Sequence, residues 1–146
     1  IEVNMKLYFA YGSNLNHEQM QLRCKDAEYI KNIFLESYKL SFCAVSRDYG
    51  VANVVKKSGS KVPGGLWKIS DKKEKVLDDY EGYLNLCSKK YFKTNGEKVL
   101  CYIIKNDFKY KPPLRRYLNT IDQGYIDCNL DREYLKKRLS HYNMEL

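Results

Sequence analysis

The sequence predicts an α+β fold, and three observations carry that prediction. Strand-like segments fall in clusters instead of alternating one by one with helices. Asn95-Gly96 sits between two β-rich runs, which is a strong hairpin signal. The helical segments show apolar residues at i, i+3 or i+4, and i+7, bounded by capping residues or glycine. The element order reads β-α-β-β-β-α-β-β-α-α, which argues against a regularly alternating parallel sheet. At 146 residues the chain has room for one domain.

Lys6 to Tyr11 is the first strand. Asn16 caps a helix running to about Asp26, with Gln19 as its capping-box partner. Met20, Cys24 and Ala27 form its buried stripe. Tyr29 to Val45 alternates in part and reads as one strand, or two with a bend. Ser46 to Gly50 is a loop, Val51 to Val55 a short strand, and Lys56 to Lys61 a polar turn around Gly59. Val62-Pro63-Gly64-Gly65 opens the next strand, its glycines either clearing space for a ligand or forming a bulge or corner. Asp71 with Glu74 makes a capping box, followed by apolar Val76, Leu77 and Tyr80 and a terminating Gly82. Lys90 to Lys93 and Val99 to Ile104 flank the hairpin turn. Leu114, Tyr117, Leu118, Ile121 and Tyr125 mark a third helix. Asp131 caps the last, with Leu135, Leu139 and Tyr142 facing inward. Ile1 to Asn4 precede Met5 and read as an expression remnant or part of a leader, so the domain is taken as 5–146.

Composition narrows the chemistry. No apolar run approaches the roughly 18 residues that span a bilayer, so no membrane partner is expected. Cys24, Cys43, Cys87, Cys101 and Cys128 are odd in number and scattered, as expected of free thiols in a cytoplasmic protein. His17 and His141 lie near no cluster of ligand spacing, so no metal is expected. Neither histidine sits in a nucleophile elbow. The net charge of +8 favours anionic partners of any kind. With fourteen tyrosines, it also admits a non-catalytic basic module that binds RNA or another polyanion. Nucleic acid is disfavoured, because no nucleic-acid motif is present.

Two segments carry candidate chemistry. Leu7-Tyr8-Phe9-Ala10-Tyr11-Gly12-Ser13-Asn14-Leu15 reads as a buried strand that turns straight into a helix. Gly12 permits a positive φ or a close approach, and the turn amides beside a helix start form a concave site for an anion. The alternative is a strand-to-helix turn with no ligand. Glu81 stands at a helix end just before Gly82. If Tyr80 and Tyr83 bury it, desolvation and the helix terminus both raise its pKa and suit it to act as a base. On residue types alone it reads equally as a solvated glutamate.

The same residues resemble the γ-glutamylcyclotransferase-like family. Tyr8-Phe9-Ala10-Tyr11-Gly12-Ser13-Asn14-Leu15 looks like that family's substrate loop, and Leu77-x-x-x-Glu81-Gly82 like its catalytic segment. Pro112-Pro113, Tyr117, Gly124 and Tyr134-Leu135 resemble its C-terminal pattern. The similarity runs in order from Leu7 to about Leu139. It implies a small mixed β-barrel with flanking helices. It implies an enzyme that releases 5-oxoproline by attack of a substrate α-amine on its own γ-carbonyl, as in glutathione metabolism. Glu81 would be the general base. Tyr8, Phe9, Ala10, Tyr11, Gly12, Ser13, Asn14 and Tyr117 would bind a small γ-glutamyl substrate. The resemblance implies no cofactor and a monomer or homodimer. Tyr125 replaces a residue that is commonly small in the family, and is expected to alter the leaving-group side.

Overall fold

A computed structural model describes residues 4–44, 49–83, 85–105 and 109–146. One mixed sheet of five strands organises the molecule, in the order β2-β3-β1-β5-β4. The strands are β1 (Met5–Ala10), β2 (Glu28–Ala44), β3 (Gly50–Ser70), β4 (Cys87–Thr94) and β5 (Glu97–Ile104). A 3-10 turn (Ser13–Leu15) follows β1 and leads into α1 (His17–Arg23). Then come α2 (Asp71–Glu81), α3 (Arg115–Asp127) and α4 (Arg132–Ser140). The α+β class stands, but among the described residues β2 and β4 remain sheet edges, so the expected barrel is an open sheet.

β1 lies at the centre. It runs antiparallel to β3 from Met5↔Ser70 to Ala10↔Gly65, and parallel to β5 at Leu7↔Val99 and Tyr8↔Leu100. A strand with neighbours on both sides is buried at its end, which explains the apolar run Tyr8-Phe9-Ala10. Gly64 lets β1 and β3 approach: a Cβ there would stand 2.4 Å from the Ala10 carbonyl oxygen and from the Phe9 ring. The Gly64-Gly65 pair therefore serves packing. Neither residue borders the cleft described below.

β2 and β3 form one long antiparallel ribbon with register shifts at Tyr29/Lys31 and at Glu36/Tyr38. Ser37, at φ 65°, sits at the second shift. The predicted polar turn at 56–61 is not a chain reversal. Lys56 and Lys61 both stay in the ladder, and residues 57–60 bulge out between them. Exposed polar residues at a bulge read locally like a turn, because both expose the backbone. The predicted short strand and the Gly-rich strand are thus one β3.

The Asn95-Gly96 turn has both φ values positive, at 49° and 80°, as a two-residue hairpin demands. Cross-strand pairing extends β4 back to Cys87. The predicted Asp71–Glu74 capping box is replaced by Ser70, whose hydroxyl accepts from the Lys73 amide at 3.3 Å. Glu74 instead turns toward the sheet, where Lys6 and Lys89 (2.6 Å) both donate to it. Burial would raise its carboxyl, but the hydrogen bonds from Lys6 and Lys89 outweigh that and hold it low. Lys89 also reaches Asp78 at 3.0 Å, and Asp78 accepts from the Tyr102 hydroxyl. This network fixes α2 against β1, β4 and β5. Of the predicted apolar positions on α2, Leu77 is fully buried while Val76 and Tyr80 are exposed.

α1 ends at Arg23, earlier than expected, although Met20, Cys24 and Ala27 are all buried. The Asn16 side chain accepts from the Gln19 amide at 2.9 Å, while its own amide bonds the Ser13 carbonyl, so half of the expected capping box forms. Gly124 seats α3 against the 3-10 turn: a Cβ there would stand 2.5 Å from Leu15 Cβ. Asp131 caps α4, and Tyr134 and Tyr142 accept from the Leu40 and Phe42 amides, tying α4 to β2. Residues 1–3 and 46–48, covered by the leader and loop expectations, lie outside the described residues.

Candidate active site

A cleft with about 180 Å³ of room opens where β1 ends. Tyr8, Phe9, Tyr11, Gly12, Ser13 and Asn14 form one wall, and Tyr80 and Glu81 at the end of α2 face them. Leu86, Cys87, Tyr102 and Ile104 come from β4, β5 and the approach to β4, Val51 and Ala52 from β3, and Tyr117 from α3. The fold therefore brings together all the predicted site residues except Ala10. Ala10 pairs with Gly65 inside the ladder and belongs to the core, because the strand has not yet opened at that position.

The turn is built by local bonds. The Leu15 amide donates to the Gly12 carbonyl at 3.0 Å, and the Asn16 amide to that of Ser13 at 3.1 Å. The first N–H groups of such a turn have no partner within it, which leaves them for a ligand. Gly12 has φ −124°, so it is close approach and not a left-handed backbone that calls for glycine. A Cβ there would stand 3.1 Å from Ala52 Cβ and 3.5 Å from the Tyr117 hydroxyl. The Asn14 amide nitrogen donates to the Tyr8 hydroxyl at 3.0 Å, and Arg23 donates to the Asn14 oxygen. Tyr11 donates its hydroxyl to the Tyr102 carbonyl, which pins its ring across the cleft. The Tyr117 hydroxyl accepts from the Ala52 amide at 2.9 Å. Burial pushes the Tyr8, Tyr11 and Tyr117 phenols upward, so all three remain neutral donors.

Glu81 closes α2, and Gly82 behind it takes the left-handed cap at φ 65°, ψ 44°. It is the one carboxylate among the described residues that lines the cleft. Burial pushes its pKa up to about 7, with Arg23 opposing the shift. The helix C-terminus acts in the same direction as burial. Tyr80, expected with Tyr83 to cover Glu81, lines the same cleft and is itself exposed. Tyr83 does not border the cleft; its ring receives the Lys89 ammonium at 4.2 Å instead. Tyr125 is fully buried in the core and also does not reach the cleft, so its size does not alter the wall. Among the described residues, no group of three His, Cys, Asp or Glu side chains is placed to hold a metal.

Of the residues lining the cleft, sequence reasoning missed Val51, Ala52, Leu86, Cys87, Tyr102 and Ile104 and gave Tyr80 only a covering role; it also missed Arg23, which touches Asn14 and Tyr80. Cys87, Tyr102 and Ile104 sit on strands whose burial pattern carries no functional mark. Arg23 stands in the last turn of α1, where a cation is common whatever the function, so its residue type gave no signal.

Residues 8–123 match the family model described as gamma-glutamyl cyclotransferase, AIG2-like. The chain belongs to this family. It is 29% identical over 143 residues to the gamma-glutamylcyclotransferase of Homo sapiens, a match covering 90% of this chain and 76% of the relative. The Bos taurus gamma-glutamylcyclotransferase is 30% identical with the same coverage. A solved structure of a gamma-glutamyl cyclotransferase superposes with a TM-score of 0.79 at 27% identity, covering 92% of this chain and 86% of that one. The family match ends within α3, so it takes in both walls of the cleft.

Proposed function

We propose that this chain is a γ-glutamylcyclotransferase, with Glu81 as its general base. The observation that carries the reading is the meeting of Glu81, its pKa raised to about 7, with the Gly12 to Asn14 turn across one small cleft. The names of its relatives support the same activity, and nothing in them supports the polyanion-binding alternative.

A γ-glutamyl compound enters as a zwitterion. Glu81 takes a proton from its α-ammonium. The freed amine attacks the γ-carbonyl carbon of the same molecule, and the carbonyl oxygen becomes an oxyanion. Amides of the Gly12 to Asn14 turn stabilise that oxygen. Protonated Glu81 gives its proton to the leaving nitrogen as that C–N bond breaks, and the regenerated carboxylate takes the extra proton from the ring nitrogen and passes it to the released amine, which leaves as its ammonium. The products are 5-oxoproline and a free amine or amino acid, with no water consumed. Holding the chain bent supplies the proximity term. A base whose pKa lies near the working pH suits both proton transfers. Tyr8, Phe9, Tyr11, Ser13, Asn14 and Tyr117 bind the γ-glutamyl part.

The five thiols are free, and no helix among the described residues is long and apolar enough to cross a membrane. Free thiols fit a reducing compartment such as the cytoplasm, where glutathione and other γ-glutamyl compounds occur. The test is incubation with γ-glutamyl amino acids, γ-glutamylamines and glutathione, detecting 5-oxoproline. Release from at least one compound is expected, and none from any of them would overturn the reading.

A further inference from the structure

One side chain that does not line the cleft touches both of its walls. Arg23, the last residue of α1, donates from Nη1 to Asn14 Oδ1. Its guanidinium carbon lies 3.4 Å from the centroid of the Tyr80 ring. Asn14 passes the contact on to the Tyr8 hydroxyl, and Tyr80 to the Ser13 hydroxyl at 3.0 Å. The chain of contacts therefore runs from the turn, through one cation, to the residue immediately before Glu81. A planar guanidinium can stack on a ring and donate in its own plane together, which a lysine ammonium cannot.

We propose that Arg23 is a positioning residue of this site, clamping the Ser13-Asn14 turn to the end of α2 so that the Glu81 carboxylate is held toward the turn amides. The proposal rests on Glu81 as the base. The titratable groups whose own proton affinity Glu81 raises are Tyr8 and Tyr11 after β1, Tyr117 from α3, and Cys87 and Cys101 from β4 and β5. Burial pushes all of these upward, so they stay neutral near pH 7. Arg23 is then the charge that tempers the effect of burial on Glu81.

The test combines NMR titration of the Glu81 carboxyl carbon with the pH profile of kcat/KM on a γ-glutamyl substrate. Arg23→Met should move the Glu81 titration upward by half a pH unit or more, on the order expected for losing a nearby cation. The acid limb of kcat/KM should move with it, so activity lost at pH 7 returns in part at pH 9. Arg23→Lys keeps the charge but not the stack. It should leave the limb in place and lower kcat by roughly 10–100-fold through misplacement. An unmoved titration and limb in Arg23→Met, with activity reduced evenly at every pH, would overturn the proposal. If Arg23→Met does not fold, Tyr80→Leu at an exposed position removes the stacked ring. Wild-type kcat in that variant overturns the clamp, and a fall like that of Arg23→Lys supports it. The titration needs no turnover, so it shows whether the Arg23 charge acts on Glu81 as this geometry requires even if no γ-glutamyl compound is cyclised.

Discussion

The hydroxyls of Ser13 and Tyr80 lie 3.0 Å apart, and this contact joins the turn after β1 to the end of α2. Tyr80 is 45% exposed, so little of its value to the fold comes from burial. Tyr80→Phe should change stability by less than about 0.5 kcal/mol, and Ser13→Ala, at a buried position, by about 0.5–1.5 kcal/mol. Their effects on kcat/KM should be coupled by about 0.5–1.5 kcal/mol in a double-mutant cycle. Strictly additive effects would mean that the contact does not shape the site.

Glu81→Gln preserves shape and removes the proposed base. Turnover should fall on the order of 10²–10⁴-fold. In the wild type the proposed mechanism requires the ionised carboxylate, so kcat/KM should rise with pH to a plateau above about 7. Near-full activity in the variant would remove Glu81 from its role.

The same residue makes a stability prediction of the opposite sign. Its pKa is raised on folding from 4.5 to about 7, so the native state binds the proton more tightly than the unfolded chain. That contribution is complete below pH 4.5 and is lost as pH rises through 7. At pH 8 the wild type must hold an ionised carboxylate in a half-buried, poorly solvated position. Glu81→Gln should therefore be more stable than the wild type at pH 8, by about 1–3 kcal/mol, and about equally stable at pH 4. Equal denaturant midpoints at pH 8 would contradict the burial of this group.

Much of this was legible in the sequence because its signals are local. Asn95-Gly96 dictates its turn through two positive φ values, and Gly82 dictates the end of α2 through one. Asn16 caps α1 with its own side chain. The errors fall where a distant partner decides. Glu74 looked like half of a capping box, but Lys6 and Lys89 draw it to the sheet and Ser70 caps in place of Asp71. The 57–60 bulge looked like a turn, since only the pairing of Lys56 and Lys61 with β2 shows that the strand continues. Glu81 and Gly12 were each visible, but that they face one cleft depends on β1 lying beside both β3 and β5.

The cysteines should be chemically quiet. All five are buried and free, and burial pushes Cys43 up to about 11 and Cys87 and Cys128 to about 12. A disulfide reagent at pH 7.5 should react slowly with native protein and titrate five thiols once it is denatured without reductant. Cys87 lines the cleft, so a bound γ-glutamyl ligand should slow its labelling further. Fewer thiols after denaturation would reveal a disulfide.

Two glycines separate folding from binding. A Cβ on Gly124 would stand 2.5 Å from Leu15 Cβ and 2.6 Å from the Asn16 amide nitrogen, in the middle of a helix-on-turn contact. Backbone cannot yield as a side-chain tip can, so Gly124→Ala should cost about 1–3 kcal/mol and lower Tm by several degrees. Gly12 is different. Its φ of −124° is not left-handed, and the nearest obstacles to a Cβ are Ala52 Cβ at 3.1 Å, close enough that Ala52 must give slightly, and the Tyr117 hydroxyl at 3.5 Å. Gly12→Val crowds side chains and not backbone, so it should fold with a loss of about 1–2 kcal/mol, while its methyl groups take up room beside the amides proposed to hold the substrate. Thermal melts and steady-state kinetics on both variants check this. Gly12→Val should lose kcat/KM out of proportion to its Tm, and Gly124→Ala should lose Tm first. The reverse order, with Gly12→Val unstable and its remaining folded fraction fully active, would show that this turn supports the fold and not the ligand.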